Sequence, residues 1–263
     1  MQLPFAIRRL GQLLFRRVPV RIASGLNQGM RWSIVTTGRG YGSGSFAKAR
    51  LAVLEAVVQP GECFWDIGAH KGFVTLAASG LVGPEGTVVS VEPASINRWF
   101  LHRHLAWNGV TNVVVAPVAL SGRRGERAFG GHGDSLAYTL GKGEDRVPVR
   151  RIPEVVEELD VPRPDVIKID AEGQEAAILD GAGDALRPHV AVLVSVHGRA
   201  MHAACHDIFA EHDFRTFESW EMACCSSDPE RPWTSDYEML AVGPERVIDE
   251  ERIRSLPLFA GVR

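Results

Sequence analysis

Apolar residues in this chain fall into short runs separated by stretches of helical period, and the alternation is regular from Leu54 onward. Short apolar runs that end at Gly, Pro or a charge indicate buried strands, whereas apolar positions at 3.6-residue spacing indicate helices. The pattern predicts strands at Glu62–Ile67, Thr87–Glu92, Asn112–Leu120, Val147–Arg151, Asp165–Asp170, Val190–His197, Phe214–Glu218 and Tyr237–Val242. Helices are predicted between them at His70–Leu81, Ser95–Asn108, Ile152–Leu159, Gln174–Leu186 and Ala200–His212. Such alternation implies an α/β protein with a Rossmann-like, doubly wound and mostly parallel sheet covered on both faces. Two stretches break the rhythm. Ser121–Asp145 is glycine-rich and charged, as expected of a hairpin and loop, and Ser219–Ser235 reads as one long loop.

Charge divides the chain differently. The first 54 residues carry nine Lys or Arg and no acid; the remaining 20 basic residues face all 32 acidic ones, so the rest is net −12. The expected organisation is a basic N-terminal extension over 1–54, one α/β domain over 55–245 and a tail over 246–263. The opening MQLPFAIRRLGQLLFRRVPVRI has helical spacing interrupted by Arg8, Arg9, Arg16 and Arg17, and no run in it is long enough to span a membrane. A basic amphipathic helix suits either packing on the domain with its arginines in water, the favoured reading, or peripheral contact with an anionic membrane. Cys63, Cys205, Cys224 and Cys225 show no metal or disulfide spacing and read as reduced thiols, which points to a cytoplasmic protein.

The segment FWDIGAHKGFVTL, from Phe64 to Leu76, runs a strand into a glycine turn and a helix. Asp66 precedes Gly68 and Gly72, unlike the G-x-G-x-x-G that cradles a dinucleotide pyrophosphate. A carboxylate there repels phosphate and suits an ammonium. Glu92 ends the next strand, placed to accept both hydroxyls of a ribose. An ammonium site followed by a ribose site fits S-adenosylmethionine better than NAD, although each acid taken singly also suits a helix cap.

With these residues the chain resembles the FkbM-type S-adenosylmethionine-dependent methyltransferases, from about Gly25 to Val242. The resemblance lies in PGECFWDIGAHKGFVTLAA, VVSVEP, NGVTNVVVAPVALS, DVIKIDAEGQE and VLVSVH. It implies a seven-stranded sheet with an antiparallel last strand, and methyl transfer usually to a hydroxyl oxygen. Carried over, Asp66, Gly68 and Gly72 meet the amino-acid end of the cofactor, Glu92 its ribose, and Ala116–Leu120, Ala119 included, borders the adenine. Two positions depart from the family: His70 stands where asparagine is usual, and Ser195 where the strand before His197 often carries glutamate.

For the transfer itself, KIDAEGQE supplies Lys168, Asp170, Glu172 and Glu175. Asp170 and Glu172 lie at the carboxyl end of a strand, where mutual repulsion raises a pKa and makes a base. The pair also suits a divalent metal; the base or substrate-anchor reading is preferred because no further acid or amide completes a metal site. Asp170 also borders the cofactor. His197 ends its strand at the same edge and is a natural proton acceptor, and His70 has a similar claim from the cofactor loop. His202 and His206 read as a solvated helix face. Ser135, within Gly130–Leu140, and Trp220 and Trp233 in the long loop are candidates for substrate contact, although such rings also pack ordinary loops.

The reading is an O-methyltransferase of a small molecule or glycan, with a sugar hydroxyl as acceptor. Nucleic-acid methylation is disfavoured: Asp170-Ala171-Glu172-Gly173 occupies the place of the adenine-N6 motif, and no Pro-Cys nucleophile is present. The missing G-x-G-x-x-G disfavours a nicotinamide oxidoreductase. A non-catalytic protein that kept the cofactor fold is the remaining alternative, and absence of cofactor binding is its signature.

Overall fold

The computed structural model describes residues 15–36, 38, 40–130, 138–227, 233 and 237–260, without the side chains of 220, 221, 226 and 227. The chain enters through an antiparallel hairpin, β1 (Pro19–Arg21) and β2 (Arg31–Ser33), and helix α1 (Lys48–Val57). β3 (Cys63–Ile67), α2 (Phe73–Val82), β4 (Thr87–Val91), α3 (Ser95–Asn108) and β5 (Val113–Ala116) build one half of the main sheet. A small second sheet follows, made of β6 (Ala119–Leu120), β7 (Gly125–Gly130), β8 (Thr139–Leu140) and β9 (Asp145–Arg150). After α4 (Ile152–Leu159) come β10 (Val166–Ile169), α5 (Glu175–Asp180), β11 (Ala191–Val196) and α6 (Arg199–Glu211). β12 (Arg215–Glu218), α7 (Trp220–Ser227), β13 (Tyr237–Val242) and α8 (Glu250–Ser255) complete the fold.

The main sheet has seven strands in the order β12-β13-β11-β10-β3-β4-β5, and only β13 runs antiparallel to its neighbours. From β3 the chain steps outward through β4 and β5; from β10 it steps the other way through β11. The order therefore reverses between β3 and β10, and a crevice opens there at the carboxyl ends of the strands.

Successive side chains on a strand point to opposite faces, and here they feed two cores. Trp65, Ile67, Ile167, Ile169, Val192 and Val194 join the cluster under α4–α6. Phe64, Val166, Leu193 and Leu240 join the other, with Leu51 and Leu54 of α1 and Ile22, Trp32 and Tyr41 from the chain before it. On this second face the apolar rows end in polar residues: Asp66 after Phe64, Lys168 after Val166, Ser195 after Leu193, and Glu238 before Leu240, all buried. Register sets Asp66 beside Lys168 and Ser195 beside Glu238.

Four expectations change. The predicted strand Asn112–Leu120 is two strands, because Pro117 has no N–H to continue the ladder; β5 stays in the main sheet and β6 pairs with β9. The predicted helix Gln174–Leu186 breaks after Asp180 into a 3-10 turn at Gly183–Ala185; a Cβ on Gly181 would meet Ser121 and Gly122. The loop Ser219–Ser235 begins as α7, and its residues 228–232, 234 and 235 lie outside the described residues. The helix expected from His70 begins only at Phe73, because His70 is held in a left-handed turn; the helix expected at the N-terminus lies outside the described residues as far as residue 14.

Histidine 104 ties the entering hairpin to this body. Its ring stacks on Trp32 at 3.7 Å between centroids, and Nε2 accepts from the Ser33 N–H at 3.1 Å. Nδ1 therefore carries the proton and donates to the Lys71 carbonyl at 2.8 Å. Burial pushes this imidazole down to about 4. The unfolded chain takes up its proton near pH 6.5, but the folded chain does not until near pH 4, so unfolding becomes easier across that interval, by ~3 kcal/mol in full. Urea denaturation at pH 7 and 4.5 should show this acid slope in the native chain. His104→Gln should be less stable at pH 7 and lack that part of the slope.

Candidate active site

The turn after β3 is shaped by the chain around it as much as by any ligand. Gly68 has φ +75°, and a Cβ there would lie 1.9 Å from the Asp170 carbonyl oxygen. Gly72, φ +88°, begins α2 where a Cβ would lie 2.3 Å from Leu101. Between them His70 sits at φ +51°, in the left-handed region that Asn and His tolerate better than most side chains. Its N–H donates to Glu92 Oε2 at 2.7 Å; Glu92 Oε1 accepts from the Ala94 N–H at 2.8 Å and from Asn97 Nδ2 at 3.2 Å. Burial raises the Glu92 carboxyl, and these hydrogen bonds oppose the rise without cancelling it.

Glu92, His70 and Gly68 line a cleft of about 680 Å³, its open mouth included. Asp170, Glu172 and Gln174 line it from the β10 side. At the far end the second sheet lays Phe129, Tyr138 and Leu140 over Val118 and Ala119. Phe129 and Tyr138 meet edge to face at 5.8 Å. The glycine-rich stretch after Leu120 thus builds one wall of the cleft.

Asp66 does not reach the cleft. Its side chain is fully buried; Thr75 Oγ1 donates to Oδ2 at 2.7 Å, and Lys168 Nζ lies 3.1 Å from Oδ1. Period two sends Asp66 to the α1 face of the sheet rather than out of its edge, so its carboxylate is not presented to the cleft where a ligand ammonium was expected to meet it. Lys168, expected among the catalytic residues, is buried beside it and donates to the Gly68 carbonyl at 2.9 Å. The pair clamps the two strand ends on either side of the crevice. Gly72 likewise stays behind the turn, packed on Leu101.

Arginine 50 is the residue the sequence reading missed. From α1 its Nη1 donates to Asp170 Oδ2 at 2.8 Å, Nη2 to Ser195 Oγ at 2.7 Å, and Nε to Glu238 Oε1 at 2.9 Å. Glu238 also accepts from Ser195 Oγ at 3.0 Å, so the strand next to β11 supplies a carboxylate beside the position where Ser195 lacks one. The sequence held a cue for each. Arg50 precedes Val53 and Leu54 by three and four residues, on the buried face of α1, and Glu238 alternates with the buried Leu240 and Val242.

This pairing decides the state of Asp170. Burial would push its carboxyl up, but the guanidinium of Arg50, followed by Lys168, holds it down at about 2. Repulsion from Glu172 was expected to yield a raised carboxylate and a base; Asp170 is instead a firmly ionised anion. It suits a cation and is a weak proton acceptor.

His197 lies at the carboxyl end of β11 with Nδ1 3.0 Å from Oε1 of the fully buried Glu175. The same oxygen accepts from the N–H groups of Ala171 and Gly173, each at 3.1 Å. His197 Nε2 points the other way, 3.6 Å from Glu172 Oε2 and 4.0 Å from Asp170 Oδ1. Glu175 thus sets a buried carboxylate beside the ring. The Asp170, Glu172 and His197 ligand atoms all lie within 4.8 Å of one another, a set able to hold a divalent cation. The sequence offers no further acid or amide to complete such a set; His197 is the side chain that would complete it.

Glu172 holds its place at φ +49°, a conformation that disfavours a side chain by about 1 kcal/mol or more. Glu172→Gly should therefore melt at an equal or higher temperature while losing turnover. A lower melting temperature, or unchanged turnover, would show that the carboxylate serves the turn and not the site.

Trp233 packs on Tyr237 and His202, with ring centroids 4.9 and 5.8 Å away, and does not line the cleft. His202, read as solvated, is largely buried, with Nε2 2.6 Å from Glu218 Oε1. Trp220 lies on α7, and its side chain is outside the described residues, as is all of Ser135. The four cysteines are free; burial pushes the Cys63 and Cys205 thiols up to about 12, which keeps them unreactive.

Residues 66–216 match the sequence model of the methyltransferase FkbM domain. No curated protein matches the chain. Among solved structures, methyltransferase FkbM from Methylobacillus flagellatus KT is similar at 19% identity and TM-score 0.49, over 70% of this chain and 48% of that one. Aeropyrum pernix fibrillarin, in complex with natively bound S-adenosyl-L-methionine, is similar at 16% identity and TM-score 0.48, over 74% of each chain. Precorrin-6y C5,15-methyltransferase from Geobacter metallireducens GS-15 is similar at 16% identity and TM-score 0.48, over 74% of this chain and 87% of that one.

Proposed function

The chain belongs to the FkbM methyltransferase domain family, and from that premise we propose that it methylates a hydroxyl oxygen of a small molecule or glycan, a sugar hydroxyl first among them. S-adenosyl-L-methionine is the methyl donor. The cleft has the shape and donor set for it: Glu92 for the ribose hydroxyls, Phe129, Tyr138 and Leu140 for the flat adenine, and bare backbone at Gly68. Asp170, ionised and on the cleft wall, takes the ammonium in place of Asp66. When bound, the sulfonium supplies an activated methyl group.

What carries the choice of a hydroxyl acceptor is the anchored imidazole of His197. An alcohol attacks well only as its proton leaves, so a positioned base is needed. With Nδ1 held toward Glu175, Nε2 faces the carboxylates that border the cleft and is the atom that takes the proton. Glu172 then orients the acceptor hydroxyl. Sulfonium transfer is an in-line displacement, so much of the remaining gain lies in alignment.

A second reading has one observation behind it, the convergence of Asp170, Glu172 and His197 ligand atoms. A divalent cation there would bind the acceptor oxygen and lower its pKa. Dialysis against EDTA separates the two readings: activity that survives supports the imidazole base, and activity restored only by magnesium or manganese supports the cation.

Calorimetric titration of S-adenosylmethionine tests the shared premise. Binding in the micromolar range is expected, weakened about tenfold or more in Glu92→Ala as two ribose hydrogen bonds go. Asp66→Asn should affect folding stability more than affinity. Absence of binding by the folded native chain would place the non-catalytic alternative first, and a glycoside screen in which no hydroxyl is methylated would overturn the acceptor class.

A further inference from the structure

Six large apolar side chains are exposed among the described residues, and four of them gather on one face: Phe15, Val18, Ile34 and Ile96. The Val18 carbonyl accepts from the Ile34 N–H at 3.0 Å, and the Phe15 carbonyl from the Val18 N–H at 2.9 Å. Arg16, between them, lays its guanidinium 4.6 Å from the centroid of the Trp99 ring. Ile96 stands one turn before Trp99 on α3, and Arg103 one turn after it covers both Trp99 at 4.7 Å and Trp107 at 5.6 Å.

The charge on this face has one sign. No acidic residue occurs before Glu55, and none between Glu92 and Glu126, so the hairpin β1–β2 and the whole of α3 are free of carboxylates. Arg16, Arg17 and Arg103 pair with no carboxylate among the described residues, and Nε of Arg16 and of Arg103 is buried without a hydrogen-bond acceptor. In a chain of net charge −3, this is a cationic surface with apolar and tryptophan side chains set into it.

We infer that this face docks the protein on an anionic lipid surface. Arginines bind the headgroup phosphates, tryptophans sit at the headgroup level, and Phe15, Val18, Ile34 and Ile96 enter the acyl boundary. The same charge would attract RNA, but exposed aliphatic side chains such as Val18, Ile34 and Ile96 add nothing to binding a phosphate backbone. A base-stacking platform needs an open ring, and Trp99 is already covered by guanidinium groups. The inference does not depend on which hydroxyl the cleft methylates.

Co-sedimentation of the full chain with vesicles tests it. Vesicles of phosphatidylcholine with phosphatidylglycerol should bind the protein at least about tenfold better than phosphatidylcholine alone, and added salt should weaken the binding. Joint neutralisation (Arg16→Gln, Arg17→Gln, Arg103→Gln) should reduce partitioning by about tenfold or more. Joint replacement of Phe15, Val18 and Ile34 by Ser should do so as well; these side chains are exposed, so this set decides the matter if loss of Arg103 unfolds the chain. Leu159→Ser, exposed elsewhere, should change nothing. Equal partitioning to both vesicle types, or no loss in the serine set, would overturn the proposal. Tighter binding to polyuridylate than to anionic vesicles would replace it with an RNA-binding face.

Discussion

Arg50→Ala should destabilise the protein by about 3 kcal/mol at pH 7, a large share of an ordinary folding free energy. The guanidinium answers two carboxylates, Asp170 and Glu238, in a site where its own side chain is 15% exposed and theirs are 28% and 12% exposed. Removing it leaves Glu238 with no cation partner among the described residues and Asp170 with only Lys168, 4.0 Å away, which costs more than the loss of the hydrogen bonds themselves. The lower end of the usual range applies because Asp170 is open to solvent on the cleft side.

The sign of the pH dependence gives this prediction a second edge. In the native chain the Asp170 carboxyl is held at about 2, below its ordinary 3.8. Its favourable contribution is therefore complete above pH 3.8 and disappears only as pH falls toward 2. Without Arg50, burial is opposed only by Lys168 and His197, so the folded carboxyl takes up its proton at a higher pH than in the native chain, and acid relieves the variant before it harms the native chain. Urea denaturation should thus show a smaller gap between the two proteins at pH 4 than at pH 7. Glu238→Gln, harmful alone, should recover part of the loss in the Arg50→Ala background, a coupling that a double-mutant cycle reads directly. A gap that is independent of pH, or below 1 kcal/mol, would show that Arg50 is a solvated charge.

His197→Ala should slow methyl transfer by about a hundredfold to ten-thousandfold, the usual worth of a positioned general base, while S-adenosylmethionine affinity stays within a few-fold. Single-turnover transfer to an acceptor found by the glycoside screen is the measurement. Imidazole added to the buffer should restore part of the rate in this variant if Nε2 accepts the proton. Glu175→Gln should slow transfer by a smaller factor without losing cofactor, because the ring remains and only its anchor weakens. Loss of affinity in step with rate would instead make His197 part of the cofactor site. Dependence on added metal, with no imidazole rescue, would favour the cation reading.

Much of this molecule was legible in its sequence because the signals are local. Apolar runs such as the Phe64, Trp65 and Ile67 stretch, or Ala191–Val196, are short, rich in β-branched and aromatic residues and bounded by turn residues, which marks them as strands buried on both faces, and the helical spacing between them implies crossovers of one hand. Gly68 and Gly72 announce a turn, although the helix expected from His70 begins only at Phe73, and the acid after the second strand announces a carboxylate at the crevice. The same local logic failed at Asp66. Nothing in DIGAHKG says that a residue one step before the strand end faces a covering helix, whereas Glu92, one step past its strand, turns into the cleft.

Sequence alone thus determined the sheet, its crossovers and the edge at which the cleft opens. Tertiary structure decided which charges meet there. Arg50 and Glu238 are 188 residues apart in the chain and bond through a helix laid across the sheet; Ser195 acquires its carboxylate from an antiparallel neighbour, and Glu175 reaches His197 only because α5 packs at the end of β11. Periodicity fixes the face on which each of these side chains lies, and that much is a property of the backbone. Which opposite charge stands across the gap depends on strand order and helix packing, and those follow from burying the whole core at once.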